Sequence, residues 1–230
     1  MIKAVVFDLD GTLFEFVLDY VGMRNAVRDV VVAEGVPASL LKGDDRIRDH
    51  VNKMLEYAKS NGWPEAKVKR TMTDINVAMD RYEWDSALKN SPMNGAIEVL
   101  RSLRKMRLKI GLLTNNSKRS VTYLLEKYSF AKMFDAVMTR DDLRDFNELK
   151  PSPAGLRKVL VRLQVNANEA LFVGDSVVDV KAAVSVGATP VFVTTGYSKE
   201  EEVKQLQARV LIINELSSLL ASIKDVDRSS

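Results

Sequence analysis

The chain has 230 residues, of which 46% are hydrophobic and 28% charged, and its formal net charge is only +3. That balance is ordinary for a globular chain long enough to bury a core, as one domain or as a domain with a small insert. It offers no clustered basic patch for nucleic acid, no apolar run near the roughly 20 residues of a membrane helix, and no cysteine for disulfides, thiolate metal sites or a Cys nucleophile.

Ile2–Phe7 is apolar, β-branched and followed by a glycine turn, so it reads as a buried strand. A core strand this early leaves no room for a signal peptide, and together with the missing cysteines it suggests a cytoplasmic protein. The strand ends in Asp8-Leu9-Asp10-Gly11-Thr12-Leu13. Two carboxylates there lie beyond a sheet edge, where open α/β folds bind ligands. They are costly to crowd together unless a cation or a proton separates their charges.

No strand is expected from Phe16 to about Asn90. Val17–Glu34 has helical spacing with Asp19 as an N-cap, and Gly35-Val36-Pro37-Ala38 stops it. Asp44–Ser60 is a second helix, closed by Asn61-Gly62. Pro64–Leu88 is one long helix or two, with Pro64 in the first turn. His50, the single histidine, sits among charged residues and is expected to be exposed. Arg46, Arg48 and Lys53 read as a basic, solvated helical face, Trp63 and Trp84 as packing, and the scattered methionines as core filler. Asn90-Ser91-Pro92 returns the chain.

From Pro92 the pattern alternates. Strands are expected at Lys109–Leu113, Ala136–Met138, Ala170–Val173, Pro190–Val193 and Val210–Ile213. Helices are expected at Gly95–Lys105, Lys118–Tyr128, Pro153–Leu163, Val177–Val186, Glu200–Leu206 and Leu216–Ile223, before a polar tail at Asp225–Ser230. Such alternation argues for an α/β fold, a parallel sheet with helices on both faces.

Three later segments carry candidate chemistry. Thr114-Asn115-Asn116-Ser117 ends a strand just before a helix, where a hydroxyl, an amide and free backbone N–H groups suit an anion; plain N-capping by Asn116 or Ser117 is the alternative. Leu149-Lys150-Pro151-Ser152-Pro153 fixes one lysine in a rigid turn. Gly174-Asp175 ends another strand, with Asp179 one helical turn on. Hard oxygen ligands without a His or Cys cluster indicate Mg²⁺.

In that order, these segments and the Asp8–Leu13 box resemble the four motifs of the haloacid dehalogenase superfamily, and within it the cap-bearing, phosphoglycolate phosphatase-like branch. The resemblance covers the whole chain. It implies a Rossmann-like core of residues 1–15 and 91–230 with a helical cap inserted at residues 16–90. It implies a Mg²⁺-dependent phosphatase in which Asp8 is the nucleophile and forms an aspartyl-phosphate. Asp10 is then the acid/base and Lys150 offsets phosphoryl charge. Thr114, Asn115 and Lys150 would hold phosphate. Asp8, the Asp10 main-chain carbonyl and Asp175 would hold the metal. Thr12 is expected to tie the loop down by hydrogen bonding, and Asp179 to orient Lys150 or a metal-bound water, or else to serve only as a first-turn acid. The implied partner is a small phosphorylated metabolite, with no nucleic acid or membrane, for a monomer or homodimer. A sugar phosphomutase of the same superfamily and a non-catalytic phosphoprotein-binding module are the alternatives. Asp10 speaks against dehalogenases and phosphonoacetaldehyde hydrolases, which lack it. Phe14-Glu15-Phe16-Val17, at the expected hinge, is more apolar than in many capped relatives.

Overall fold

Six short apolar runs form one parallel sheet in the computed structural model, which describes residues 1–228. In chain order the elements are β1 (Ala4–Phe7), α1 (Tyr20–Ala33), α2 (Ile47–Ser60), α3 (Glu65–Lys89), α4 (Ala96–Lys105), β2 (Lys109–Leu113), α5 (Lys118–Lys127), β3 (Ala136–Met138), α6 (Ala154–Leu163), β4 (Ala170–Gly174), α7 (Val177–Val186), β5 (Thr189–Val193), α8 (Glu200–Lys204), β6 (Leu211–Ile213) and α9 (Leu219–Arg228). The strand order is β3-β2-β1-β4-β5-β6, with every neighbouring pair parallel. All of β1 is buried, as a strand covered on both faces must be. From β1 the chain builds β2 and β3 on one side and then crosses to β4 on the other. The carboxyl ends of β1 and β4 therefore flank a topological switch point, where open α/β sheets bind ligands.

The residues divide into two compact units, Met1–Val17 with the chain from Lys89 onward, and Leu18–Leu88. The first holds the whole sheet. Its helices present apolar stripes at helical spacing, as in α4, where Ala96, Val99, Leu100 and Leu103 are buried. The apolar hinge residue Phe14 belongs to this unit's core. It is fully buried and stacks on Tyr128 and Phe130, with ring centroids 5.7 and 5.4 Å away. The outgoing and returning segments run side by side there, since Glu15 N–H donates to Ser91 O at 3.0 Å and Met93 N–H to Leu13 O at 2.9 Å.

The second unit is helical. In α1, Met23, Val27 and Val31 form the buried stripe, and the Asp19 side chain caps it by accepting from Gly22 N–H at 2.8 Å. Pro64–Leu88 resolves as the single helix α3. Two readings change in this unit. His50 is 1% exposed rather than solvated, because it falls between Ile47, Val51 and Met54 on the buried stripe of α2. Lys53 is not part of an open basic face, since its Nζ pairs with Asp45 Oδ2 at 2.5 Å.

At the chain's end α9 runs on through Arg228, so the polar tail expected at Asp225–Ser230 is helical up to there, and Ser229 and Ser230 lie outside the described residues. Asp227 accepts a hydrogen bond from Ile2 N–H at 2.6 Å. No helix among the described residues is long and apolar enough to cross a membrane.

Candidate active site

Asp8 is the first residue past β1, and its N–H still donates to Val173 O of β4 at 2.8 Å. The chain then turns through Gly11, whose φ of +75° favours glycine, and Gly11 N–H closes the turn on Phe14 O at 2.7 Å. Asp8 and Asp10 are each 8% exposed. Thr12 does not tie the loop as expected: its Oγ1 is buried and has no hydrogen-bond partner among the described residues. The turn's own backbone bonds do that work instead, including Leu13 N–H to Leu9 O at 2.9 Å.

Across the switch point, Asp175 follows β4 and is 2% exposed. A loop that the sequence reading passed over holds it. Tyr197 N–H donates to Asp175 Oδ2 at 2.6 Å, Ser198 N–H to Asp175 O at 3.1 Å, and Thr195 Oγ1 to Gly11 O at 2.8 Å. A side chain at Gly196 would collide with the Asp175 carboxylate, which only glycine admits this closely. The one signal that could have found this loop is its position, just past β5 at the same sheet end.

Lys150 is 7% exposed. Asn115 grips its main chain from both sides: Lys150 N–H donates to Asn115 Oδ1 at 3.0 Å, and Asn115 Nδ2 donates to Lys150 O at 3.2 Å. The Lys150 ammonium bonds to Asp8 Oδ1 and, at 2.7 Å, to Asp179 Oδ1. Asp179 also accepts from Ser176 N–H at 3.1 Å, so it is both a first-turn acid of α7 and a partner of Lys150. Thr114 is buried, and its hydroxyl accepts from Asn116 N–H at 3.2 Å. Ser117 begins α5 without capping it through its side chain. The buried Arg140, also unforeseen, braces this loop, with Nη1 donating to Asn115 O at 3.1 Å and N–H to Asn116 O at 2.9 Å.

Asp8, Asp175 and Asp179 each offer a carboxylate oxygen within 4.8 Å of the others. Burial, then the charges of Asp8 and Asp179, push the Asp175 carboxyl up to about 8. Burial alone would lower the Lys150 ammonium, but Asp179 and Asp8 more than offset it and hold it well above the usual lysine range. One ammonium thus serves a cluster richer in carboxylates than it can neutralise. Buried hard oxygen donors with surplus negative charge fit a divalent cation such as Mg²⁺. The Asp10 carboxylate stands apart from this cluster, accepting from Asn90 Nδ2 at 3.1 Å and Asn116 Nδ2 at 2.6 Å.

The family model for haloacid dehalogenase-like hydrolases matches residues 2–187. A phosphoglycolate phosphatase of Pseudomonas putida is 31% identical over 229 residues, covering 97% of this chain and 80% of that one. A phosphoglycolate phosphatase of Photorhabdus laumondii is 29% identical over 226 residues, covering 96% and 92%. A crystal structure of a hydrolase from Pseudomonas syringae, 23% identical, superposes with a TM-score of 0.66 over 97% of this chain and 99% of that one, a likeness of fold.

Proposed function

The chain belongs to the haloacid dehalogenase-like hydrolases, and from that premise we propose that it is a Mg²⁺-dependent phosphatase acting on a small phosphorylated metabolite in the cytoplasm, through an aspartyl-phosphate on Asp8. The observation that carries this reading is the buried Lys150 ammonium, bonded to both Asp8 and Asp179 beside Asp175. A lysine fixed against a carboxylate nucleophile suits a reaction that gathers negative charge on the phosphoryl oxygens that carboxylate attacks.

Asp8 attacks phosphorus, forming an Asp8 O–P bond as the bond from phosphorus to the ester oxygen breaks. Asp10 gives its proton to the departing oxygen. It then takes a proton from water, whose oxygen displaces Asp8 and releases inorganic phosphate. Asp10 suits this role because its carboxylate is held by neutral amides and leaves the cation cluster to Asp8 and Asp175. Thr114, the main-chain N–H groups opening α5 and Lys150 hold the phosphoryl oxygens. The Asn115 side chain is committed to the Lys150 main chain, so it serves the phosphate through its own N–H and by fixing Lys150. Asp8, Asp175 and the Asp10 carbonyl would hold Mg²⁺, whose charge permits two anions to meet. The helical insert, expected at residues 16–90 and compact as Leu18–Leu88, acts as a cap that excludes water and supplies selectivity, because the core residues recognise only phosphate and metal.

The test is release of inorganic phosphate from a panel of phosphorylated metabolites with Mg²⁺, for wild type and for Asp8→Asn. Wild type should release phosphate and the folded variant none. Uncatalysed monoester hydrolysis is so slow that an enzyme supplies up to about 10²¹-fold, so no background pathway rescues the variant. Isomerised sugar phosphate in place of phosphate would mark a mutase, and neither product a binding module.

A further inference from the structure

The Asp10 carboxylate is gripped by two amides from distant parts of the chain, and each amide is itself fixed. Asn90 is 1% exposed. Its Oδ1 accepts from Ser91 N–H at 2.8 Å, which dictates that the opposite end, Nδ2, is the one turned to Asp10 Oδ1 at 3.1 Å. Its carbonyl accepts from Tyr128 Oη at 2.7 Å. Asn116 donates to the other oxygen, Asp10 Oδ2, at 2.6 Å. Its main chain is pinned at both ends, N–H to Thr114 Oγ1 at 3.2 Å and C=O from Arg140 N–H at 2.9 Å. A carboxylate with a donor on each oxygen, each donor with its own anchor, has one orientation. Pinning a side chain this way offsets the rotamer freedom it would keep in a hydrated turn. Asn90 comes from the second residue of the segment returning to the core, so the carboxylate is set only when that segment is seated.

We propose that Asn90 and Asn116 are positioning residues, a pair of amides that aim the Asp10 carboxylate at the ester oxygen; the proposal rests on the reading of Asp10 as the acid/base. Acid/base work needs an oxygen within hydrogen-bond reach of the atom it protonates, and a misplacement of about 1 Å costs about 10²-fold. The effect depends on the substrate. A poor alkyl leaving group needs the proton, whereas p-nitrophenolate departs largely without it.

The test is single-turnover burst kinetics with Mg²⁺, comparing an alkyl phosphate turned over by wild type with p-nitrophenyl phosphate, for wild type, Asn90→Ala, Asn116→Ala and Asn116→Gln. Thermal melts report any purely structural loss. Asn116 is only half-buried, so its variants keep the test alive should Asn90→Ala not fold. Each alanine variant should lose about 10-fold or more of its first-step rate on the alkyl ester, and several-fold less on p-nitrophenyl phosphate. KM should change little, and Asn116→Gln should recover part of the loss. Equal losses on both esters in a folded Asn116→Ala, or no loss on either, would overturn the positioning role while leaving the phosphatase reading intact. A wild type that releases no phosphate from any ester overturns both.

Discussion

Replacing Lys150 by methionine keeps the bulk of the side chain and removes the one ammonium that faces both Asp8 and Asp179. Deleting one partner of a buried ion pair costs about 3–5 kcal/mol, because the remaining charge is left uncompensated. Protonation sets a ceiling on that cost. A carboxyl with the ordinary value of 3.8 takes up a proton at pH 7 for about 4 kcal/mol, or about 1.4 kcal/mol per pH unit. Lys150→Met should therefore lose about 3–4 kcal/mol at pH 7. The loss should shrink by about 1.4 kcal/mol per unit from pH 7 towards pH 6, as the variant binds one more proton than wild type, and level off below that, because burial raises the Asp179 carboxyl to about 6 and wild type takes up a proton there too. Wild type without metal moves in the same direction. The folded Asp175 carboxyl is raised to about 8, against 3.8 when unfolded, so the native state binds that proton more tightly. Its penalty is fully present above pH 8 and is relieved as pH falls towards 4. Urea unfolding of both proteins in EDTA at pH 5, 6 and 7 measures the difference. A loss that does not vary with pH, or one below about 1 kcal/mol at pH 7, would refute the charge-based account and leave only packing.

Gly196→Ala should fold but displace the Asp175 carboxylate, which the new methyl would strike. The Mg²⁺ concentration at half-maximal phosphate release should then rise about 10-fold or more, and an unmoved half-saturation would count against Asp175 as a ligand. Burial pushes the His50 imidazole below its usual 6.5, with Asp45 opposing. Its folded form therefore resists protonation, and stability is constant above pH 6.5 and falls as pH drops below it. His50→Phe should flatten that decline in urea melts between pH 7.5 and 5.5, and identical slopes would sink the idea. A chain with Leu18–Leu88 replaced by a short flexible linker, Asn90 retained, should still hydrolyse p-nitrophenyl phosphate but lose its ranking of metabolites. A folded capless protein that kept the full ranking would remove selectivity from the insert.

The strands were legible because buried parallel strands are apolar throughout and stop abruptly at small polar residues. Lys109–Leu113 and Ala136–Met138 coincide with β2 and β3 to the residue. The others shift by a residue or two at their ends, where capping and laddering compete. His50 was misplaced because its neighbours in sequence are charged while its neighbours at helical spacing, Ile47, Val51 and Met54, are apolar. The loop at Thr195–Ser198 escaped notice for a different reason. Two of its bonds to Asp175 come from main-chain N–H groups, which any sequence supplies. Asn90 and Asn116 escaped because a buried amide that serves a residue 80 or 106 positions away looks like a turn residue locally.

Asp8 and Asp10 show why the motif alone underdetermines the chemistry. They are the same residue type, two positions apart, equally buried at 8% exposure. The turn at Gly11 sends them to different surroundings. Asp8 faces the Lys150 ammonium and the carboxylates of Asp175 and Asp179, so its charge is held between one cation and competing anions. Asp10 accepts a hydrogen bond on each oxygen from a neutral amide, Asn90 on one and Asn116 on the other. A nucleophile must stay ionised, and an acid/base must gain and lose a proton within one cycle. An ammonium suits the first task. For the second it would hold the carboxylate ionised through both halves of the cycle, whereas neutral donors fix its direction at lower electrostatic cost. Divergent environments around paired carboxylates are how one site assigns two roles to one side-chain type. On the proposed roles, the assignment would be written in residues far from the motif: Lys150 for Asp8, and Asn90 with Asn116 for Asp10.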